Sequence, residues 1–182
     1  NSGQPWQGQM TIPRELSVKN GRLYQWPVRE IKQMQKKTIR YIGKTFTGAL
    51  HLDGIEGRKL DMELYVRPVA GEELYRKFEL YFAQDEKRFT LIRVIPDESV
   101  LEIDRSHSGS CHAIVHQCRS NIQNENGRFK LRMVLDYFSA EIFVNDGQQA
   151  FSITLFTNQK AENISFFSVG KVEMDVVKYD LS

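Results

Sequence analysis

The sequence predicts an all-β protein: a two-sheet antiparallel β-sandwich, jelly-roll or concanavalin-like, preceded by a connector with one short helix. Three observations support this prediction. Apolar and polar residues alternate in several segments, turn signals recur about every 8 to 15 residues, and few segments have helical spacing. Parallel sheets would need long crossovers, usually helical, and the sequence does not supply them.

The connector is predicted to cover residues 1–35 and the sandwich residues 36–182. Val28, Ile31 and Met34 recur at helical spacing after Pro27, and proline suits a first helical turn, so we expect a short helix over Val28–Gln35.

The strands of the body have a period of two. Leu60, Met62, Leu64 and Val66 alternate with polar residues that include Asp61. One face of each such strand should be packed and the other solvated, which places Asp61 on a solvated face. The predicted strands of this kind are Lys59–Arg67, Arg76–Phe82 and Phe129–Leu135.

Composition excludes several classes of protein. The 182 residues carry 25 Lys and Arg against 23 Asp and Glu, and a net charge of +2 gives no basic excess for a nucleic-acid partner. No apolar run approaches the ~18 residues of a membrane-spanning helix, so we expect no membrane segment. Two cysteines are too few for a disulfide scaffold and leave the redox compartment open.

A metal site is the first candidate for chemistry. Cys111, His112, His116 and Cys118 are zinc-ligand types at close spacing. On an extended strand, however, Cys111 points away from the other three, and neighbouring members of those three, four and two residues apart, are separated by ~13 and ~7 Å. We expect no metal, and a zinc-dependent enzyme remains a hypothesis that metal analysis would decide.

Paired carboxylates are the second candidate, because glycosidases need two of them about 5 to 10 Å apart. Asp61 and Glu63 have suitable spacing, and Asp136 and Glu141 flank Ser139. The first pair shares its face with lysine, tyrosine and arginine, as an ordinary solvated face does. The second has no histidine nearby in sequence, and Asp and Ser at strand ends commonly bind turn amides.

Aromatic side chains are the third candidate. A carbohydrate-binding module would need a concave face lined with exposed rings such as Tyr65, Tyr75 and Tyr81. Trp6 and Trp26 lie in the connector, where we expect them to pack it against a neighbour. No phosphate-cradling glycine loop or serine nucleophile elbow is present, so no cofactor is expected.

Several stretches, taken in order, resemble glycoside hydrolase family 32, the invertases, sucrose-6-phosphate hydrolases and fructanases. Trp6–Leu16 and Gly21–Glu30 look like the segment that leaves the catalytic domain of that family. Leu101–Ser106 and Leu135–Gly147 are similar to two signature stretches of its C-terminal β-sandwich. The residues that carry this second likeness, with an expected structural role, are Asp104, Arg105, Asp136, Ser139, Glu141, Phe143 and Asn145.

The resemblance implies a two-part enzyme, in which an N-terminal five-bladed propeller holds the active site of a retaining β-fructofuranosidase and a sandwich packs against it. The family's catalytic motifs are Asn-Asp-Pro, Arg-Asp-Pro and Glu-Cys, and none occurs in this sequence. The chain is therefore expected to be the non-catalytic sandwich, with no catalytic residue of its own. A module that directs the enzyme to fructan or sucrose is the alternative.

The resemblance also makes residues 1–12 a remnant of the propeller. Trp6, Met10, Ile12 and Trp26 are then predicted to dock the sandwich onto it, and residues 1–12 to be poorly ordered or packed on another copy when the propeller is absent. Further expectations are a homodimer and a cytoplasmic location, or secretion if the parent enzyme is a fructanase.

Overall fold

The computed structural model describes residues 10–109 and 116–182. Within them the chain forms one four-residue helix, α1, and twelve strands, with short 3-10 turns at Pro96–Glu98 and Asn145–Gly147. The helix is Ile31–Met34, and the strands are β1 Arg14–Lys19, β2 Arg22–Pro27, β3 Gln35–Leu50, β4 Leu60–Pro68, β5 Lys77–Gln84, β6 Thr90–Ile95, β7 Val100–Asp104, β8 Gln117–Asn121, β9 Phe129–Leu135, β10 Ser139–Val144, β11 Gln149–Thr154 and β12 Asn163–Leu181. No helix in this part of the chain has the length and apolar character that crossing a membrane requires.

The predicted all-β sandwich is confirmed. Ten strands form one antiparallel sheet in the order β11-β10-β9-β4-β12-β5-β6-β7-β8, with β3 also paired to β12. The carboxyl half of β12 pairs with β4 from Val172 to Asp180, and its amino half pairs with β5 from Asn163 to Val169. The sheet therefore folds over at β12 into two layers that face each other.

Two long bent strands make this fold possible. β12 and β3 run beside each other through both layers, and their register shifts between Ser168 and Val172. Gly170 lies at this shift with a φ of +96°, and a Cβ there would lie 2.8 Å from the Cα of Tyr75. A residue with a side chain would be strained in this conformation and would collide with the neighbouring chain, so glycine permits the bend.

The core lies between the layers and follows the predicted alternation. Leu60, Met62 and Val66 on β4 are fully buried, as are most apolar residues of β5 and β9. The three strands predicted from a period of two appear as β4, β5 and β9, with ends shifted by at most two residues.

The connector differs from its prediction in two ways. The helix is shorter than Val28–Gln35, because Gln35 is already extended and pairs with Leu181 as the first residue of β3. In addition, residues 14–27 form a separate two-stranded sheet, β1-β2, which the sequence analysis did not predict.

Candidate docking site between the connector and the sandwich

The β1-β2 hairpin is set by its turn. Asn20 and Gly21 both have positive φ, +50° and +74°, the conformation of a type I′ turn, whose twist matches that of the flanking strands. Six residue pairs follow, from Lys19 opposite Arg22 to Arg14 opposite Pro27. The hairpin thus brings Arg14 and Trp26 to its open end, next to the sandwich.

The open end packs on the outer face of one layer, opposite the main core. The Trp26 ring lies 5.7 Å from the Phe143 ring, centroid to centroid, and Phe143 is fully buried. Phe143 forms a second apolar cluster with Ile31 and Val134, against which Ile12, Trp26, Ala150 and Leu181 pack. This cluster fixes the connector to β9 and β10.

A buried ion pair lies beside this cluster. Arg14 forms a salt bridge to Glu141, whose side chain is 4% exposed, and its guanidinium lies 5.3 Å from the centre of the Phe143 ring. Ser152 Oγ donates to the same carboxylate at 2.7 Å, and Arg14 Nη1 donates to Gln25 Oε1 at 2.9 Å. A buried carboxylate needs such partners, so Glu141 ties β1 to β10 and β11.

The expectation that Asp61 is solvated is wrong. Asp61 is fully buried and accepts two hydrogen bonds from Arg132, from Nε at 2.8 Å and Nη2 at 2.7 Å, and a third from Gln35 at 2.7 Å. Arg132 itself is 3% exposed, and its guanidinium lies 5.1 Å from the Trp26 ring centroid. The connector covers the polar face that the alternation had assigned to water.

Glu63 does not form an acid/base pair with Asp61. Its side chain is 49% exposed and lies 3.7 Å from Arg132 Nε, whereas Asp61 is held by Arg132 on both oxygens. The two carboxylates share one face of the strand, but Asp61 lies in a buried ion pair and Glu63 lies at the open surface.

The predicted docking residues have different surroundings. Trp6 lies outside the described residues, and Met10 is 93% exposed. Ile12 and Trp26 are half-buried and pack on the sandwich of their own chain. Sequence reasoning missed Arg14 and Arg132; the Asn20-Gly21 turn could have revealed the hairpin, and an arginine flanked by Leu131 and Met133 on a buried strand could have indicated an ion pair.

The other family-motif residues close turns. Asp104 accepts hydrogen bonds from the Ser106 amide at 2.8 Å and from Gln117 at 3.0 Å. Burial raises the pKa of Asp104, but these hydrogen bonds outweigh it and hold the pKa below its usual value. Arg105 binds Thr154 O at 3.1 Å and so links the end of β7 to β11 in the other layer.

Asp136 and Asn145 act in the same way around β9 and β10. Asp136 Oδ1 accepts from the Tyr137 amide at 2.8 Å, and the carbonyl of Ser139 accepts from the Asp136 amide at 2.9 Å. Asn145 Oδ1 accepts from the Lys130 amide at 3.0 Å. These side chains hold the β9-β10-β11 meander.

The three tyrosines suggested for sugar binding do not form one platform. Tyr75 is fully buried, its hydroxyl donates to Gly127 O at 2.5 Å, and burial raises its pKa. Tyr65 lies on the outer face of the layer that the connector covers, whereas Tyr81 lies on the outer face of the other layer and donates to Glu79 at 2.8 Å. These three residues therefore do not form the concave aromatic face that a carbohydrate-binding module would need.

A shallow, open depression of about 320 Å³ adjoins Tyr65 and Trp26. The Arg67 guanidinium lies 5.1 Å from the Tyr65 ring centroid, and the Arg132 guanidinium lies at the same distance from Trp26. Each guanidinium therefore covers one face of its ring.

The candidate zinc ligands are only partly described. Cys111 and His112 lie outside the described residues, and Cys118 is exposed on β8. Over residues 10–109 and 116–182, no three side chains of the metal-ligating types come together.

Comparison with known proteins gives a consistent result. The sequence model of the family described as "Glycosyl hydrolases family 32 C terminal" matches residues 28–181. A sucrose-6-phosphate hydrolase of Staphylococcus xylosus is 29% identical over 97% of this chain, and a levanase of Bacillus sp. (strain L7) is 28% identical over 91%. The chain spans 35% and 19% of the lengths of these two relatives.

Solved structures show the same fold. An exo-inulinase from Aspergillus awamori superposes with a TM-score of 0.81 at 18% identity, over 98% of this chain and 37% of that one. A sucrose-6-phosphate hydrolase from Lactobacillus gasseri gives 0.76 at 20% identity, over 93% of this chain and 33% of that one.

Proposed function

Because the chain belongs to glycoside hydrolase family 32, as a C-terminal domain of that family, we propose that it is the supporting sandwich of a β-fructofuranosidase. In this proposal a catalytic propeller in the same polypeptide hydrolyses sucrose or sucrose 6-phosphate, and the sandwich stabilises it. The observation that supports the proposal is the docking site: the buried carboxylates of the outer face are bound by arginines, instead of standing free as an acid and a nucleophile.

The chemistry of those carboxylates argues for a structural role. A retaining glycosidase needs one carboxyl that holds a proton and one that attacks, with the substrate between them. Asp61 and Glu141 each accept a charge-assisted hydrogen bond from an arginine, which occupies carboxylate oxygens that would otherwise be available to react.

Docking is proposed to involve Trp6, Met10, Ile12 and Trp26. Met10, almost wholly exposed, is available to a partner, whereas Ile12 and Trp26 hold the connector at a fixed place on the sandwich. A connector anchored in this way would set the orientation of whatever precedes it. A homodimer and a bacterial cytoplasmic location belong to the same proposal, the second because a phosphorylated sugar substrate would be found there.

The test is an assay of sucrose and sucrose 6-phosphate hydrolysis by the purified 182-residue chain and by the full-length polypeptide. We expect turnover only by the full-length polypeptide. Glu63→Gln and Glu141→Gln in the 182-residue chain control for contaminating activity, because a contaminant's rate would not change. If the 182-residue chain hydrolyses either substrate, and the rate falls in either variant, the proposal is refuted.

A further inference from the structure

The two edges of the β1-β2 hairpin have different surroundings. The β2 edge lies against the turn after β10: a Cβ at Gly147 would come within 2.2 Å of Gln25 O. In the described part of the chain, β1 pairs with no strand other than β2. One edge is therefore covered by the sandwich and the other is open.

The open edge carries free backbone groups. Lys19 and Arg22 close a two-residue turn, and the ladder of an antiparallel pair alternates from there. The amides and carbonyls of Ser17 and Glu15 point to β2, so those of Leu16 and Val18 point outward. Unpaired groups of this kind are a template for another strand.

An apolar row runs along the same hairpin. Leu16, Val18 and Leu23 are 65%, 72% and 51% exposed. Val18 and Leu23 are opposed in register, and Leu16 lies two residues before Val18, so all three side chains share one face. A two-stranded hairpin with an uncovered apolar face is only marginally stable alone, which indicates a partner for this face.

The relatives indicate which partner. The chain spans 19% and 35% of the lengths of the two relatives named above, and the family model that matches it describes a C-terminal domain. In a polypeptide with a C-terminal domain, a further region precedes that domain. It would enter the domain beside β1, the first described strand, which begins at Arg14.

We propose that the open edge of β1, with Leu16, Val18 and Leu23, receives a β-strand from the region that precedes this domain in the full-length polypeptide. The hairpin is then shared: its β2 edge and open end belong to the sandwich, and its β1 edge belongs to the neighbouring sheet. This inference rests on the proposed function, because it needs the preceding region to be a folded part of the same enzyme.

The test compares amide hydrogen exchange in the full-length polypeptide and in the 182-residue chain. We expect the amides of Leu16 and Val18 to exchange freely in the 182-residue chain and at least about 100-fold more slowly in the full-length polypeptide. Equal exchange in both would overturn the proposal. Slow exchange in the isolated 182-residue chain would also overturn the proposal, because another segment of that chain, or a second copy of it, would then cover the edge.

Two variants of the full-length polypeptide sharpen the result. Leu16→Pro removes an outward amide that the hairpin does not use, and Leu16→Thr keeps the amide but removes the apolar contact. We expect Leu16→Pro to lower the Tm of the full-length polypeptide more than Leu16→Thr, with little change in the Tm of the 182-residue chain. Equal shifts in both proteins would contradict strand pairing.

Sucrose hydrolysis by the full-length polypeptide, measured in parallel, separates this inference from the proposed function. Hydrolysis together with freely exchanging Leu16 and Val18 amides would refute the strand pairing alone. Absence of fructoside hydrolysis would refute the proposed function.

Discussion

Replacement of Arg132 by methionine tests the docking site most directly. The variant removes the charge that binds Asp61 through two hydrogen bonds of 2.8 and 2.7 Å, while Asp61 stays fully buried. Gln35 then remains as a side-chain donor to Asp61, at 2.7 Å. Breaking a buried ion pair in this way costs about 3 to 5 kcal/mol of unfolding free energy.

For a protein of this size, about 1 kcal/mol corresponds to a change in Tm of ~2 to 4 °C, so Arg132→Met should lower the Tm by ~6 to 20 °C. Urea unfolding followed by circular dichroism gives the free energy itself. The double variant Asp61→Leu with Arg132→Met should recover most of the loss, to within about 2 kcal/mol of the parent chain, because no buried charge remains.

Glu63→Gln is the matched control, since Glu63 lies on the same face and near the same arginine but is half exposed. It should change the unfolding free energy by less than about 1 kcal/mol. A loss below about 1 kcal/mol in Arg132→Met, or a double variant no more stable than the single one, would refute the claim that the connector encloses a low-dielectric ion pair.

The remaining predictions concern packing, pH and sugar binding. Phe143→Ala should lower the unfolding free energy, measured in urea, by about 3 to 5 kcal/mol, because Phe143 is fully buried. Phe156→Ala should lower it much less, because that ring is 46% exposed. Equal losses in the two variants would contradict the assignment of Phe143 to a second buried cluster. Burial raises the pKa of the Glu79 carboxyl, but hydrogen bonds from Arg93 and two other neighbours outweigh this effect and hold the pKa below 4.5. The ionised carboxylate therefore stabilises the folded protein above that pH, and this stabilisation is lost as the pH falls through the lower, folded-state pKa. The urea midpoint should therefore fall between about pH 5 and pH 3 less steeply in Glu79→Gln than in the parent, and identical slopes would contradict this assignment. Calorimetric titration with sucrose, inulin or levan at millimolar concentration should show no binding, since the tyrosines do not form one platform; saturable heat would contradict this prediction.

The period of two predicted the strands that form the core, because an alternation such as Leu60, Met62, Leu64 and Val66 depends only on local geometry. The same alternation gave a wrong environment for Asp61. A sequence shows which residues share a face, but it does not show that a distant segment will cover that face. Here the covering segment is the connector, more than 25 residues earlier in the chain.

The hairpin illustrates a second limit. Asn20-Gly21 is a strong turn signal, yet the strands beside it have an apolar row that stays largely exposed. Without a packed face, the alternation does not indicate where the element belongs. Arg14 has no distinguishing pattern either, and only its place at the open end of the hairpin brings it to Glu141.

The course of β3 and β12 has a consequence for biosynthesis. β3 spans Gln35–Leu50, and the only described strand that pairs with it is β12, Asn163–Leu181, so over one hundred residues of chain must be made before β3 acquires its neighbour. Until then the amide and carbonyl groups of this sixteen-residue segment can bind only water, and the two layers of the sandwich lack the strand that joins them. Folding on the ribosome should accordingly be postponed to the last moments of translation, when chaperones that shield exposed strands would matter most.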